Sequence, residues 1–130
     1  MIIEWSGINS NYSEDEVKKY VPIESGVYLL WEKLAESNKW LCFYVGKTKG
    51  LEKRLLEHLS DNEDNDCIKK KVAEKVCGFE YAKVANQNER DGIEKFLYDH
   101  YNPSCNVQDL GGKPIEVNLP LGSIPLFPLR

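Results

Sequence analysis

Three stretches of this 130-residue chain gather polar side chains that a simple core does not require. Gly26-Val27-Tyr28 and Tyr44-Val45-Gly46 each set a phenol beside a glycine. A glycine in a strand lets another backbone or a phosphate come close, and both phenols could face one cleft. Lys47-Thr48-Lys49-Gly50-Leu51-Glu52-Lys53-Arg54 holds four bases against one acid and enters a helix. Arg54 and His58 stand four apart, so they share one side of that helix. A guanidinium suits a phosphate because its donors form a planar fork on a permanent charge. The third stretch centres on Glu94, at a helix edge shared with Tyr98 and Tyr101, where a carboxylate can hold a hard divalent cation through oxygen. Taken singly, each has an ordinary account: tyrosines pack sheets, basic helix faces are solvated, and glutamates lie on surfaces.

The elements that must position these groups follow from the hydrophobic pattern. Residues 26–32 and 40–46 are rich in aromatic and β-branched side chains, and the polar Glu36-Ser37-Asn38-Lys39 between them suits a loop, so they read as an antiparallel hairpin. After Gly46 the period changes: Leu51, Leu55 and Leu59 recur every four residues and mark a helix over about 50–60. An acidic break from Asp61 to Asp66 follows. Ile68, Val72 and Val76 then predict a second helix, with three lysines on its wet side and Gly78 at its end. Residues 79–84 alternate as a third strand. Asn88 is the expected cap of a last helix with Ile93, Phe96, Leu97 and Tyr101 inward, closed by Pro103. Ser13 and Glu16 predict a short helix over 14–20, stopped by Pro22. The result is a small α+β domain with a three-stranded sheet.

Composition fits one domain at 42% hydrophobic, 29% charged and 11% aromatic, which excludes disordered, collagenous and coiled-coil classes. No apolar run nears the roughly 20 residues that span a bilayer, and the N-terminus lacks a signal pattern, so a cytoplasmic protein off the membrane is expected. Cys42, Cys67, Cys77 and Cys105 form no Cys-x-x-Cys pair, and His58 and His100 are the only histidines. Zinc is therefore not expected, and the cysteines are expected to be reduced, three of them as small core residues. The chain divides into an N-terminal extension (1–23), a domain (24–110) and a tail (111–130) with four of the six prolines among apolar residues. That tail reads either as an extended strap or as a docking segment for a protein partner.

Together these residues resemble the GIY-YIG nuclease family. Gly26-Val27-Tyr28 and Tyr44-Val45-Gly46 stand for its two signatures, followed in order and spacing by Lys47, Arg54, His58, Glu94 and Asn106. Asn106 falls twelve residues after Glu94 with Pro103 between them, as in the nuclease domain of the bacterial excision-repair incision subunit. The resemblance covers about residues 24–107. It implies a central three-stranded antiparallel sheet flanked by helices, and hydrolysis of phosphodiester bonds in DNA. Glu94 then resembles the single carboxylate ligand of a catalytic Mg²⁺ or Mn²⁺, Arg54 the arginine on the scissile phosphate, and Tyr28 the general base for water. Tyr44, His58 and Lys47 would line the same pocket, with cations nearby, the metal and Lys47, lowering the Tyr28 pKa. Gly46, Lys47, Lys49 and Lys53 are the candidate substrate-binding positions, with Asn106 as a site-ordering or substrate-binding residue. Valine replaces isoleucine at the centre of both signatures, and no second DNA-binding domain fits in the chain. The alternative is a catalytically weak module that keeps the fold to bind nucleic acid or a partner; the oligomeric state is open.

The net charge of −4 argues against a generally basic nucleic-acid protein. Its distribution changes that reading. Residues 1–24 carry −3 and residues 61–66 carry −4, leaving +3 on the other 100, with the strongest basic run beside the candidate site. Weak, salt-sensitive DNA binding by the isolated chain is the expectation.

Overall fold

The strand-forming stretches meet as expected: β1 (Gly26–Lys33) pairs antiparallel with β2 (Trp40–Thr48) and, on its other side, with β3 (Cys77–Lys83), in the order β2-β1-β3. The computed structural model describes residues 1–35, 37–107 and 112–120. Four helices flank the sheet: α1 (Glu14–Tyr20), α2 (Leu51–Leu59), α3 (Asp66–Glu74) and α4 (Gln87–Tyr101). No helix among the described residues is long and apolar enough to cross a membrane.

Central β1 is covered on both faces, so Gly26 to Glu32 are all buried. Alternation sorts its side chains. Val27, Leu29 and Trp31 pack with Ile93, Leu97 and Tyr101 of α4, whereas Tyr28 and Leu30 pack with Val17 of α1, Leu51 and Leu55 of α2 and Ile68 of α3. Both sheet edges are covered, which removes the open ladders that invite aggregation. Along β3, Ser6 N donates to Tyr81 O at 2.8 Å, and Asn9 and Phe79 exchange backbone bonds at 2.9 and 3.0 Å. Along β2, Cys105 N donates to Phe43 O at 2.8 Å.

Several local expectations need correction. The α4 cap is Asn86, whose side chain accepts from Glu89 N at 2.9 Å, and not Asn88. Buried Arg90 fixes that start by donating back to the carbonyls of Val84 and Ala85 at 2.9 and 2.8 Å. Gly78 does not end α3; it lies inside β3, where a Cβ would stand 2.8 Å from Asn9 O of the covering segment. Val76 is exposed, and Lys71 is not on a wet face, because its Nζ is 2.6 Å from Glu32 Oε2. The cysteines also depart from the reduced state expected: Cys67 and Cys105 form a disulfide across Cα atoms 5.3 Å apart, within bridging range. Their separation of 38 residues left no spacing signal, while Cys42 and Cys77 are free and buried.

Residues 113–120 form neither helix nor strand and lie against α4 and the N-terminal segment. Ile115 N donates to Gly92 O at 2.9 Å, and Asn118 accepts from Ile3 N at 2.7 Å while donating to Ile3 O at 2.9 Å. Residues 108–111 and 121–130 of the tail lie outside the described residues, and with them most of the segment expected to dock a partner.

Candidate active site

The register of β1 on β2 explains both tyrosine–glycine triplets. Tyr28 stands directly opposite Gly46, and its ring lies over that glycine: a Cβ at 46 would meet Tyr28 Cζ at 2.2 Å and its hydroxyl at 2.4 Å. Gly46 therefore makes room for a phenol, a neighbour that the expected approach of a backbone or a phosphate did not include. Gly26 admits the backbone of β3, since a Cβ there would meet Ala82 O at 2.2 Å. Tyr44 shares the Tyr28 face, with ring centroids 6.1 Å apart.

α2 brings Arg54 and His58 to the same face. The start of this helix has no side-chain cap; Leu51 N and Glu52 N donate instead to Glu24 O and Pro22 O at 2.9 and 3.1 Å. His58 is 1% exposed and turns inward, with Nε2 2.7 Å from the Tyr28 hydroxyl. Its Nδ1 lies 2.5 Å from Oε2 of Glu63, which is buried and receives the Asn65 N–H at Oε1 over 2.9 Å. Tyr28 is likewise 1% exposed. Tyr28 and His58 thus stand one layer behind the cleft and do not line it.

The cleft itself has a volume of about 600 Å³, and its walls include Tyr44, Arg54, Asp64, Asp66, Glu94 and Asn106. Glu94, on α4, is 7% exposed. Burial raises its carboxyl pKa, and Lys47 works against that rise from 3.5 Å. Lys47 is held 2.6 Å from Asp91 Oδ1, a partner that no motif or spacing singles out. Arg54 pairs with Glu57 at 3.2 Å. Burial works against its charge, yet Tyr28, Glu57 and Tyr44 hold its pKa above the ordinary value, so it stays a cation.

Three further expectations meet the structure here. Asn106 turns its amide to β2: Oδ1 accepts from Val45 N at 3.0 Å and Nδ2 donates to Val45 O at 2.9 Å, an arrangement that fits the site-ordering role expected of it. Lys49 and Lys53 are exposed and outside the cleft walls, which instead take acids from the 61–66 break. Without a metal cation the Tyr28 pKa is pushed well above its ordinary value, because burial outweighs Arg54. In the protein alone Tyr28 is a phenol. Glu63 and the Cys67–Cys105 bridge at the cleft escaped the sequence reading, since nothing separates Glu63 from the other acids of its tract.

Geometry and signature agree with wider comparison. The model of the GIY-YIG catalytic domain matches residues 24–106. UvrABC system protein C of Malacoplasma penetrans is 32% identical over 94 residues, and that of Clostridium beijerinckii 30% over 89 residues. These cover 72% and 68% of this chain, which spans only 15% and 14% of the two relatives. Among solved structures, the GIY-YIG N-terminal endonuclease domain of UvrC from Thermotoga maritima, bound to its catalytic magnesium, is 28% identical with a TM-score of 0.54. The match covers 72% of this chain and 98% of that one. The chain belongs to the GIY-YIG family, as an endonuclease domain with the three-stranded antiparallel fold of the UvrC N-terminal domain.

Proposed function

We propose that the cleft hydrolyses phosphodiester bonds in DNA with one divalent cation, Mg²⁺ or Mn²⁺, on Glu94. The observation that carries this reading is the placement of the buried Glu94 carboxylate and a permanent guanidinium on the walls of the same cleft, with a hydrogen-bonded phenol–imidazole pair directly behind. The donor set fits a hard cation. No group of three or more His, Cys, Asp or Glu side chains among the described residues could hold a metal, so the protein would supply only part of the cation's shell, with Glu94 as the proposed ligand. A lone carboxylate suits Mg²⁺, which keeps several waters and shares substrate phosphate oxygens. When bound, the cation supplies Lewis acidity at the leaving 3′ oxygen.

The chain's own residues supply the rest. Arg54 presents fixed charge to the phosphoryl oxygens as their negative charge grows, which needs no reorganisation at the moment of reaction. Tyr28 takes the proton of the attacking water as a general base, which requires the wall at Arg54 and Tyr44 to part enough for a water to reach its buried hydroxyl. Lys47 tempers the charge of Glu94 from the β2 side. Asn106 and Gly46 act earlier, by holding β2 in register and leaving space for the Tyr28 ring. Asp64 and Asp66 on the cleft wall disfavour tight binding of a polyanion by the protein alone, which weighs against a pure nucleic-acid-binding module.

Nicking of supercoiled plasmid tests the reading. Cleavage is expected with Mg²⁺, absent with chelator, and reduced roughly 10²–10³-fold by Glu94→Ala or Arg54→Ala. Full metal-dependent activity in either variant would remove the assignment.

A further inference from the structure

We propose that Glu63 is a positioning residue for the hydrolysis: it holds His58 as the Nδ1–H tautomer, so that Nε2 receives the Tyr28 hydroxyl proton while Tyr28 takes one from water. This rests on the nuclease reading above. Three observations carry it. The Glu63 carboxylate is placed 2.5 Å from His58 Nδ1, with both side chains essentially out of solvent. A carboxylate only accepts, so the shared proton sits on Nδ1 and the opposite nitrogen is left with a lone pair. That nitrogen, Nε2, faces the Tyr28 hydroxyl at 2.7 Å. Glu63 is itself oriented, because Asn65 N donates to its other oxygen and Asn65 caps α3 through Ile68 N at 3.1 Å.

The arrangement answers a difficulty the burial of Tyr28 creates. A phenol held above its ordinary pKa cannot wait as phenolate, so it must shed its own proton as it gains another. His58 is available for that transfer, since burial, and then Arg54, lower its pKa below the ordinary 6.5 and keep the resting ring neutral. In the step, the water oxygen bonds to phosphorus as the bond from phosphorus to the 3′ oxygen breaks. The water proton moves to the Tyr28 oxygen, and the Tyr28 proton moves to Nε2. The imidazolium pairs with Glu63, the 3′ oxygen takes a proton from solvent, and His58 returns one to solvent through Tyr28 before the next turnover. The charged or titratable groups facing His58 are Tyr28 of β1, Tyr44 of β2, Arg54 and Glu57 of α2, and Glu63 beyond it.

Glu63→Gln is the discriminating variant. Glu63 accepts from two N–H groups, His58 Nδ1 and Asn65 N, and a glutamine has one oxygen for the two. Its amide NH₂ therefore opposes one of them and favours a ring protonated at Nε2, which cannot accept from Tyr28.

The test combines ¹⁵N NMR of the histidine rings with plasmid nicking at saturating Mg²⁺, using the full chain and Glu63→Gln. The expected result is an Nδ1–H ring for His58 in the unaltered chain and its loss in the variant. kcat should fall roughly 10²–10⁴-fold, the range of a lost acid–base contribution, with KM little changed. The acid limb of kcat should lie below pH 6.5 and move lower still in the variant, because Glu63 raises the His58 pKa. An Nε2–H ring in the unaltered chain, or a variant with unchanged kcat and acid limb, overturns the proposal alone. Absence of metal-dependent cleavage by the unaltered chain overturns the nuclease reading and the proton route with it.

Discussion

Asn106 and Asn118 treat two distant pieces of backbone in the same way. Asn106 brackets the N–H and C=O of Val45, and Asn118 brackets those of Ile3. Each region also has a glycine whose Cα is covered by a side chain: Tyr28 lies on Gly46, and Ile115 lies on Gly92 of α4. What differs is the cargo. Val45 stands between Tyr44 and Gly46, so its clamp sets two candidate site positions, whereas Ile3 carries only apolar packing beside Trp5 and Val117. Identical local chemistry thus orders candidate site positions in one place and apolar packing in the other, and the fold decides which.

That separation can be broken deliberately. Gly46→Ala should have the largest effect. Its Cβ would fall 2.2 Å from a ring that is fully enclosed, so Tyr28 must leave its place. Cleavage should drop roughly 10²-fold or more, as expected for a displaced catalytic group, with a stability loss of about 1–3 kcal/mol read by denaturant unfolding. Asn106→Ala comes next. It leaves the Val45 amide and carbonyl unpaired at an edge strand, which costs about 1–3 kcal/mol, and single-turnover cleavage should fall by about tenfold as β2 loosens. Asn118→Ala should cost a similar about 1–3 kcal/mol in unfolding free energy while leaving the cleavage rate intact. A rate loss equal to that of Asn106→Ala would dissolve the comparison.

Gly92→Ala should do least. Its Cβ meets Ile115 Cγ1 at 2.4 Å, yet Ile115 is only partly buried and can yield. Replacing an interior helical glycine gains about 1 kcal/mol of helix propensity, which offsets most of the displacement. Melting should show a net change within about 1 kcal/mol, with no change in cleavage.

Residues that act through strand register were legible in the sequence; those that act through chain return were not. The alternation around Tyr28 and Tyr44 fixes two strands and places both phenols on one face, and the four-residue spacing of Arg54 and His58 puts them on one helix side. Glu63, Gly78 and the Cys67–Cys105 pair depend on where loops and termini fold back. Glu63 matters because the turn after α2 carries it under His58. Gly78 is a glycine because the N-terminal segment crosses it, and the disulfide joins α3 to the stretch after α4. Period and propensity report regular elements: Gly78 and the disulfide depend on distant chain, and Glu63, five residues from His58, lies in an irregular turn. The charge pattern misled for the same reason: the acidic 61–66 tract stood apart from the basic run in sequence, but it folds onto the cleft.

The most direct measurement compares the unaltered chain with Glu94→Ala in single-turnover cleavage with Mg²⁺, with melting followed on the same samples. Burial raises the Glu94 carboxyl pKa, so the protein gains nothing in stability at neutral pH from keeping this carboxylate charged. The account predicts an unchanged or higher melting temperature together with a cleavage rate lower by roughly 10²–10³-fold. Cleavage at the unaltered rate by a folded Glu94→Ala chain would contradict it.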